Sequence, residues 1–127
     1  MSTKLTKSIK FGHKNGMHIR PAQLIKQIAE IVSSDVQMIL KKQQAVVNLK
    51  KDGLLDIMIL GIVKDDEIDI VVEGDNGEEI LDIFVYIFTR DILHKDNNHD
   101  EEINIIKNKN WNEKVKSLII DTIMKNK

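Results

Sequence analysis

Asn15-Gly16-Met17-His18-Ile19-Arg20-Pro21-Ala22 is the stretch from which the rest of the chain is best read. Proline suits the first turn of a helix, because its fixed φ is already helical and its missing N–H would have had no intrahelical partner there. Behind Pro21, the residues Leu24, Ile25, Ile28, Ile31 and Val32 recur at the spacing of one apolar helical face. The pattern predicts a helix from about Ile19 to Val32, delivered by a loop over Gly12 to Gly16. His18 then stands immediately before a helix N-terminus, where unpaired amides and the positive end of the macrodipole attract anions, phosphate above all. A positive end also disfavours a second proton on the ring, so a neutral imidazole is expected near neutral pH. Arg20 adds a forked set of donors suited to phosphoryl oxygens.

A lone histidine before a helix is most often a cap or a surface residue. Five specified positions in Gly-x-His-x-Arg-Pro-Ala are another matter, since a chance match in a chain of this length has odds on the order of 1 in 10,000 or less. Together they describe a place where a phosphoryl group can be carried on nitrogen.

The totals narrow the alternatives. With 127 residues, 42% hydrophobic and 31% charged, the chain suits one globular core with an appendage. A net charge of −1 supplies no field for nucleic acid. The absence of cysteine removes disulfides, thiol catalysis and cysteine zinc sites. His13 with His18, or His94 and His99 with Asp96 and Asp100, would make poor metal sets, so neither metal nor cofactor is expected. Met1 to Lys10 lacks an apolar segment of signal-peptide length, and Gly61 and Lys64 break the longest apolar run. No membrane insertion is expected, and the location should be cytoplasmic.

Thr3 to Phe11 alternates as a half-buried strand, although Lys7 interrupts its apolar side. Ser33-Ser34-Asp35 reads as a turn. Val36 to Leu40 and Ala45 to Leu49 form a hairpin across Lys41 to Gln44. Leu54 to Leu60 is too short for periodicity to choose strand or helix. Glu67 to Glu73 is the clearest strand, with Ile68, Ile70 and Val72 inward. Glu78 and Glu79 then open a helix that continues to about Ile92. His94 to Asp100 reads as a polar linker. Val115, Leu118, Ile119 and Ile123, with Trp111 near the start, mark a last amphipathic helix. That helix has three possible places: the open face of the sheet, a second copy of the chain, or a frayed end.

At the His18 motif the chain resembles the HPr family, the small histidine phosphocarriers of the bacterial phosphoenolpyruvate-dependent phosphotransferase system. Val47-Asn48-Leu49-Lys50, Leu60-Gly61-Ile62 and Glu67 to Gly74 follow in the family's order, so the likeness covers residues 1 to about 92. It implies an α+β fold, an open-faced β-sandwich in which a four-stranded antiparallel sheet carries three helices on one face in the order β-α-β-β-α-β-α. Residues 1–93 would form the phosphocarrier domain. Residues 94–127 would be a linker and C-terminal helical extension. The resemblance implies that Nδ1 of His18 accepts a phosphoryl group from enzyme I and passes it to an enzyme IIA-type protein. The amides of Ile19 and Arg20 and the Arg20 side chain would hold the oxygens. Leu54, Leu55 and Met58 would form an exposed patch on a short helix for partner docking, whereas composition alone would bury them.

Alone, such a carrier would not turn over substrate. The alternative is an HPr-like regulatory binding protein that does not feed sugar transport. A monomer is expected, with self-association through 111–125 as the competing possibility. Several departures bear on partner choice. The position of the family's regulatory serine falls at Gly53 or Lys51, neither of which has a hydroxyl; Asp52 would be a weak charge substitute. Gln27 and Glu30 stand where typical carriers place lysines on the first helix, with Lys26 expected to compensate in part. Asp56 lies between the docking residues.

Overall fold

The computed structural model describes residues 4–32, 35–94 and 97–125; Thr3, Ser33, Ser34 and Asp96 lie outside them. In chain order the elements are β1 (Lys4–Lys10), α1 (Ile19–Ile31), β2 (Gln37–Lys42), β3 (Ala45–Asn48), α2 (Leu54–Ile59), β4 (Glu67–Glu73), α3 (Gly77–Thr89), α4 (His99–Lys107) and α5 (Glu113–Lys125). The strands form one antiparallel sheet in the order β1-β4-β2-β3. This is the expected open sheet with helices on one face.

The register explains the layering. Leu5 pairs with Val72 and Val72 with Met38, while Ile70 pairs with Lys7 and Leu40, and Leu40 with Val47. Alternation sends these side chains to one face, where Met38, Leu40, Val47, Ile68, Ile70 and Val72 are buried with Leu24, Ile25 and Ile28 of α1 and Ile80, Ile83, Phe84 and Ile87 of α3. Lys7 points toward this apolar side without disrupting it, because β1 is an edge strand. Its side chain reaches the rim of the sheet beside Glu78 and Asp82, and a lysine there also guards the strand edge. The hairpin is tighter than the sequence suggests. β2 runs on to Lys42, so that only Gln43 and Gln44 turn the chain, with Gln43 at φ +55°. Helix α3 ends at Thr89 rather than Ile92. There the Phe88 carbonyl accepts the amide of Gly12 at 2.8 Å, and Arg90 turns extended.

The C-terminal region departs most from expectation. His99, read as part of a linker, begins α4. Asn98 caps it by accepting the Glu101 amide, Asp100, Glu101 and Glu102 fill the first turn, and Lys107 closes the last. The Asn-x-x-Glu spacing was the missed signal. Helix α5 has its stripe where expected, with Val115, Ile119 and Ile123 buried. It lies against α1 and α4 rather than on the open face of the sheet. The first turns of α1 adjoin Thr122 and Lys125 at the end of α5, and the last residues of α1 adjoin Asn112 and Val115 at its start, so the two helices run antiparallel.

A polar clamp fastens these helices to α3. The guanidinium of Arg90 donates from Nε and Nη2 to Glu102, at 3.0 Å and 2.5 Å to Oε1, and the Tyr86 hydroxyl donates to the same carboxylate. Trp111 packs edge-on against Tyr86 with ring centroids 5.5 Å apart, and its Nε1 donates to Asp82 at 2.9 Å. Burial, followed by the Glu102 carboxylate, raises the Tyr86 hydroxyl above its usual range, so it remains a donor. Glu102 is itself buried. Removing it strands the Tyr86 donor, at a cost of about 1–3 kcal/mol.

Because the C-terminal helices share the core of the sheet, the single tryptophan should report global unfolding. Trp111 fluorescence and far-UV circular dichroism should give coincident urea transitions, with Glu102→Ala moving both to lower urea together. Separate transitions would show that the C-terminal helices dock independently.

Candidate phosphoryl-accepting site

The loop before α1 is fixed by main-chain bonds on both sides. Phe11 accepts from Asp65 and donates to Asp66, and the Met17 amide donates to Ile62 at 2.9 Å. Lys42 steadies the opposite loop, donating to the Gly61 carbonyl at 2.7 Å and pairing with Asp66 at 2.9 Å. The Val63 amide and then Lys42 hold the Asp66 carboxyl below its usual range. Two glycines allow this path. At Gly12 a Cβ would lie 2.1 Å from the Thr89 carbonyl oxygen. Gly16 turns with φ +75°, and its Cβ would meet the Ile62 carbonyl oxygen at 3.0 Å.

The result places His18 at the N-cap of α1 in an extended conformation, with α1 beginning at Ile19. The ring turns back on the helix, and Nδ1 accepts the Arg20 amide in a long bond of 3.4 Å. An accepting Nδ1 carries no proton, which assigns the ring hydrogen to Nε2. The Ile19 amide, first in the helix, has no intrahelical acceptor. Partial burial, then the Arg20 cation, then His13 lower the affinity of the His18 ring for a second proton. The direction is the one expected from the helix end, but its largest cause is desolvation.

His13 is not a ligand paired with His18. It is buried and stacked on Phe11 at 4.8 Å, and Nε2 donates to the Ile87 carbonyl at 2.6 Å. Its Nδ1 lies 3.5 Å from Asp91, whose other carboxylate oxygen accepts the Lys14 amide at 2.8 Å. Burial lowers the His13 affinity for a proton, opposed by Ile87 and Asp91. His13 thus pins the loop to the end of α3, a role that the Phe-x-His alternation could have suggested. Among the described residues no three potential ligands gather as a metal site, and His99 Nε2 is engaged by the His94 carbonyl at 3.1 Å.

Within the 54–60 run, Leu54–Ile59 form the helix α2, which divides by face. Ile57 is fully buried, Leu54 and Met58 are half-buried, and Leu55 and Ile59 are 71% and 80% exposed. Asp56 accepts the Gly53 amide at 2.8 Å and so caps α2, while the Asp52 carboxylate turns to the Asn48 amide. Lys26 does not offer its charge outward. Its ammonium donates to the carbonyls of Leu49, Lys50 and Asp52 at 3.0, 3.2 and 2.6 Å.

Two consequences can be measured. Gly16→Ala should cost about 1–3 kcal/mol, because a left-handed alanine is strained and its methyl meets Ile62; unchanged urea stability would contradict the close approach. With both His13 and His18 held below the ordinary histidine pKa of about 6.5, the unfolded chain binds more protons, so stability rises with pH across this window and is lost as pH falls below it. Urea unfolding at pH 7.5 and 5.5 should show that loss, reduced in His13→Gln; a flat profile would contradict it.

The family described as the PTS HPr component phosphorylation site matches residues 5–90. Among solved structures, a phosphocarrier protein HPr from Bacillus anthracis is 29% identical with a TM-score of 0.61, covering 68% of this chain and 98% of its own. HPr from Thermoanaerobacter tengcongensis is 31% identical with a TM-score of 0.59, covering 66% and 90%. No helix of the described residues is long and apolar enough to cross a membrane. Sheet topology, the position of His18 and these likenesses converge: the chain belongs to the HPr family of phosphocarriers of the phosphotransferase system.

Proposed function

We propose that His18 accepts a phosphoryl group on Nδ1 from the phosphoenolpyruvate-dependent enzyme I and yields it to an enzyme IIA-type protein. The observation that carries this reading is the ring at the N-cap of α1 with Nδ1 accepting the Arg20 amide. The Nδ1 lone pair forms the new N–P bond while the donor's bond to phosphorus breaks and its electron pair leaves with the donor. No proton has to move first, because Nδ1 carries none. The phosphoryl oxygens are then met by the amides of Ile19 and Arg20 and by the Arg20 guanidinium. The second transfer repeats the exchange in the other direction. The partner supplies alignment, which is the larger part of the barrier that a carrier would otherwise have to lower, so the chain alone has no turnover.

Leu55 is the exposed centre of the docking patch, with Leu54 and Met58 beneath it; an exposed apolar cluster beside the reacting group suits a transient interface. On this reading residues 1–93 are the carrier unit and residues 94–127 an addition to it. The regulatory alternative draws support from α1, which presents little charge to an acidic partner once Lys26 is engaged within the chain.

Incubation with phosphoenolpyruvate and the enzyme I of the same source should add about 80 Da in acid-labile form, absent from His18→Ala. No gain in the native chain would overturn the carrier reading, and a gain that no enzyme IIA accepts would favour the regulatory one. Arg20→Ala should slow transfer roughly ten- to hundredfold without loss of fold, the worth of a charged hydrogen bond. Leu55→Asp should weaken binding to enzyme I; equal affinity would remove Leu55 from the docking surface.

A further inference from the structure

Helix α5 ends beside the phosphoryl site. Its last turn and the first turns of α1 enclose an open groove of about 230 Å³, lined by Arg20, Gln23, Leu24, Gln27, Thr122 and Lys125. Both charged side chains of this groove are cations, and the other polar ones are neutral. The basic residues of α1 are Arg20 and Lys26, and Lys26 faces inward onto three carbonyls. The exposed flank of α1 beyond Arg20 therefore carries Gln23, Gln27 and Glu30, with no cation of its own. Lys125 restores one from a different element.

The groove shares Arg20 with the His18 site, so it lies at the margin of the area a protein docked over His18 would cover. A specific interface covers about 800 Å² on each partner, a patch some 30 Å across, and Arg20 is two residues from the ring. The exposed Ile19, Leu55 and Ile59 give such a patch an apolar centre, and the groove gives it a polar, cationic rim.

We propose that the end of α5 is a built-in part of the docking surface for the phosphotransfer partner, in which Lys125 beside Arg20 receives a carboxylate-bearing face of that partner. This rests on the carrier reading. Lys125 acts on encounter and partner choice rather than on the bond being made, since it lines the groove on the α1 flank and not the N-cap. A carrier without α5 would lack this cation, so the extension selects a partner whose carboxylates reach past α1.

The test compares two phosphodonors on the full chain: the protein donor enzyme I with phosphoenolpyruvate, and phosphoramidate, a small donor that needs no docking surface. In Lys125→Glu, transfer from the protein donor should slow roughly tenfold at low salt and approach the native rate at about 0.5 M salt. Phosphoramidate should label His18 at the native rate. Adding Gln27→Lys to Lys125→Glu should restore most of the loss by returning a cation to the same groove. An unchanged rate with the protein donor would overturn the proposal. Equal slowing with both donors would also overturn it, placing Lys125 at the phosphoryl group itself. A native chain labelled by neither donor would instead remove the carrier reading on which the proposal rests.

Discussion

The structure depends on where α1 is made to begin. Pro21 can stand only in a first turn, and the main-chain bond from Met17 to Ile62 fixes the residue that precedes it. Between these two constraints His18 has one place, the N-cap, and its ring accepts the Arg20 amide. The same constraint sets the direction of α1 across the sheet, which buries Leu24, Ile25 and Ile28 and leaves Arg20, Gln23 and Gln27 outside. Gly12 and Gly16 matter because the loop has to pass within contact distance of α3 on one side and of Ile62 on the other.

The C-terminal helices reuse this arrangement. Helix α5 lies antiparallel to α1, so its carbonyl end sits beside the amide end that serves His18. Opposed dipoles favour this packing, and a lysine on the last turn returns positive charge to the place where the carbonyls would reduce it. The cost of ordering two further helices is met by a buried carboxylate, Glu102, shared between Arg90 and Tyr86, and by Trp111 closing over the Tyr86 ring. An ion pair of this kind specifies one docking geometry, because its donors are satisfied only in that geometry.

Much of this was legible in the residues, for reasons that are local. The alternation of Glu67 to Glu73 could belong only to a half-buried strand, and the strand has those bounds. The Pro21 rule placed the start of α1. What escaped depended on contacts between segments distant in sequence. Lys26 looks like a surface cation until the carbonyls of residues 49, 50 and 52 arrive beside it. His13 looks like a loop residue until α3 ends above it. The division of Leu54 to Ile59 into buried and exposed residues follows from which side of a short helix meets α1, and periodicity over six residues cannot choose that side. Helix α4 was hidden by its polar composition, although its cap and acidic first turn were present in the sequence.

The central claim is that an unprotonated Nδ1 at the N-cap of α1 is the atom that takes the group. Imidazole ¹⁵N resonances of His18 with ³¹P coupling, recorded after labelling by enzyme I and phosphoenolpyruvate, test it atom by atom. The account predicts phosphorus bonded to Nδ1, with Nε2 retaining its hydrogen. Phosphorus on Nε2, or on His13, would contradict it.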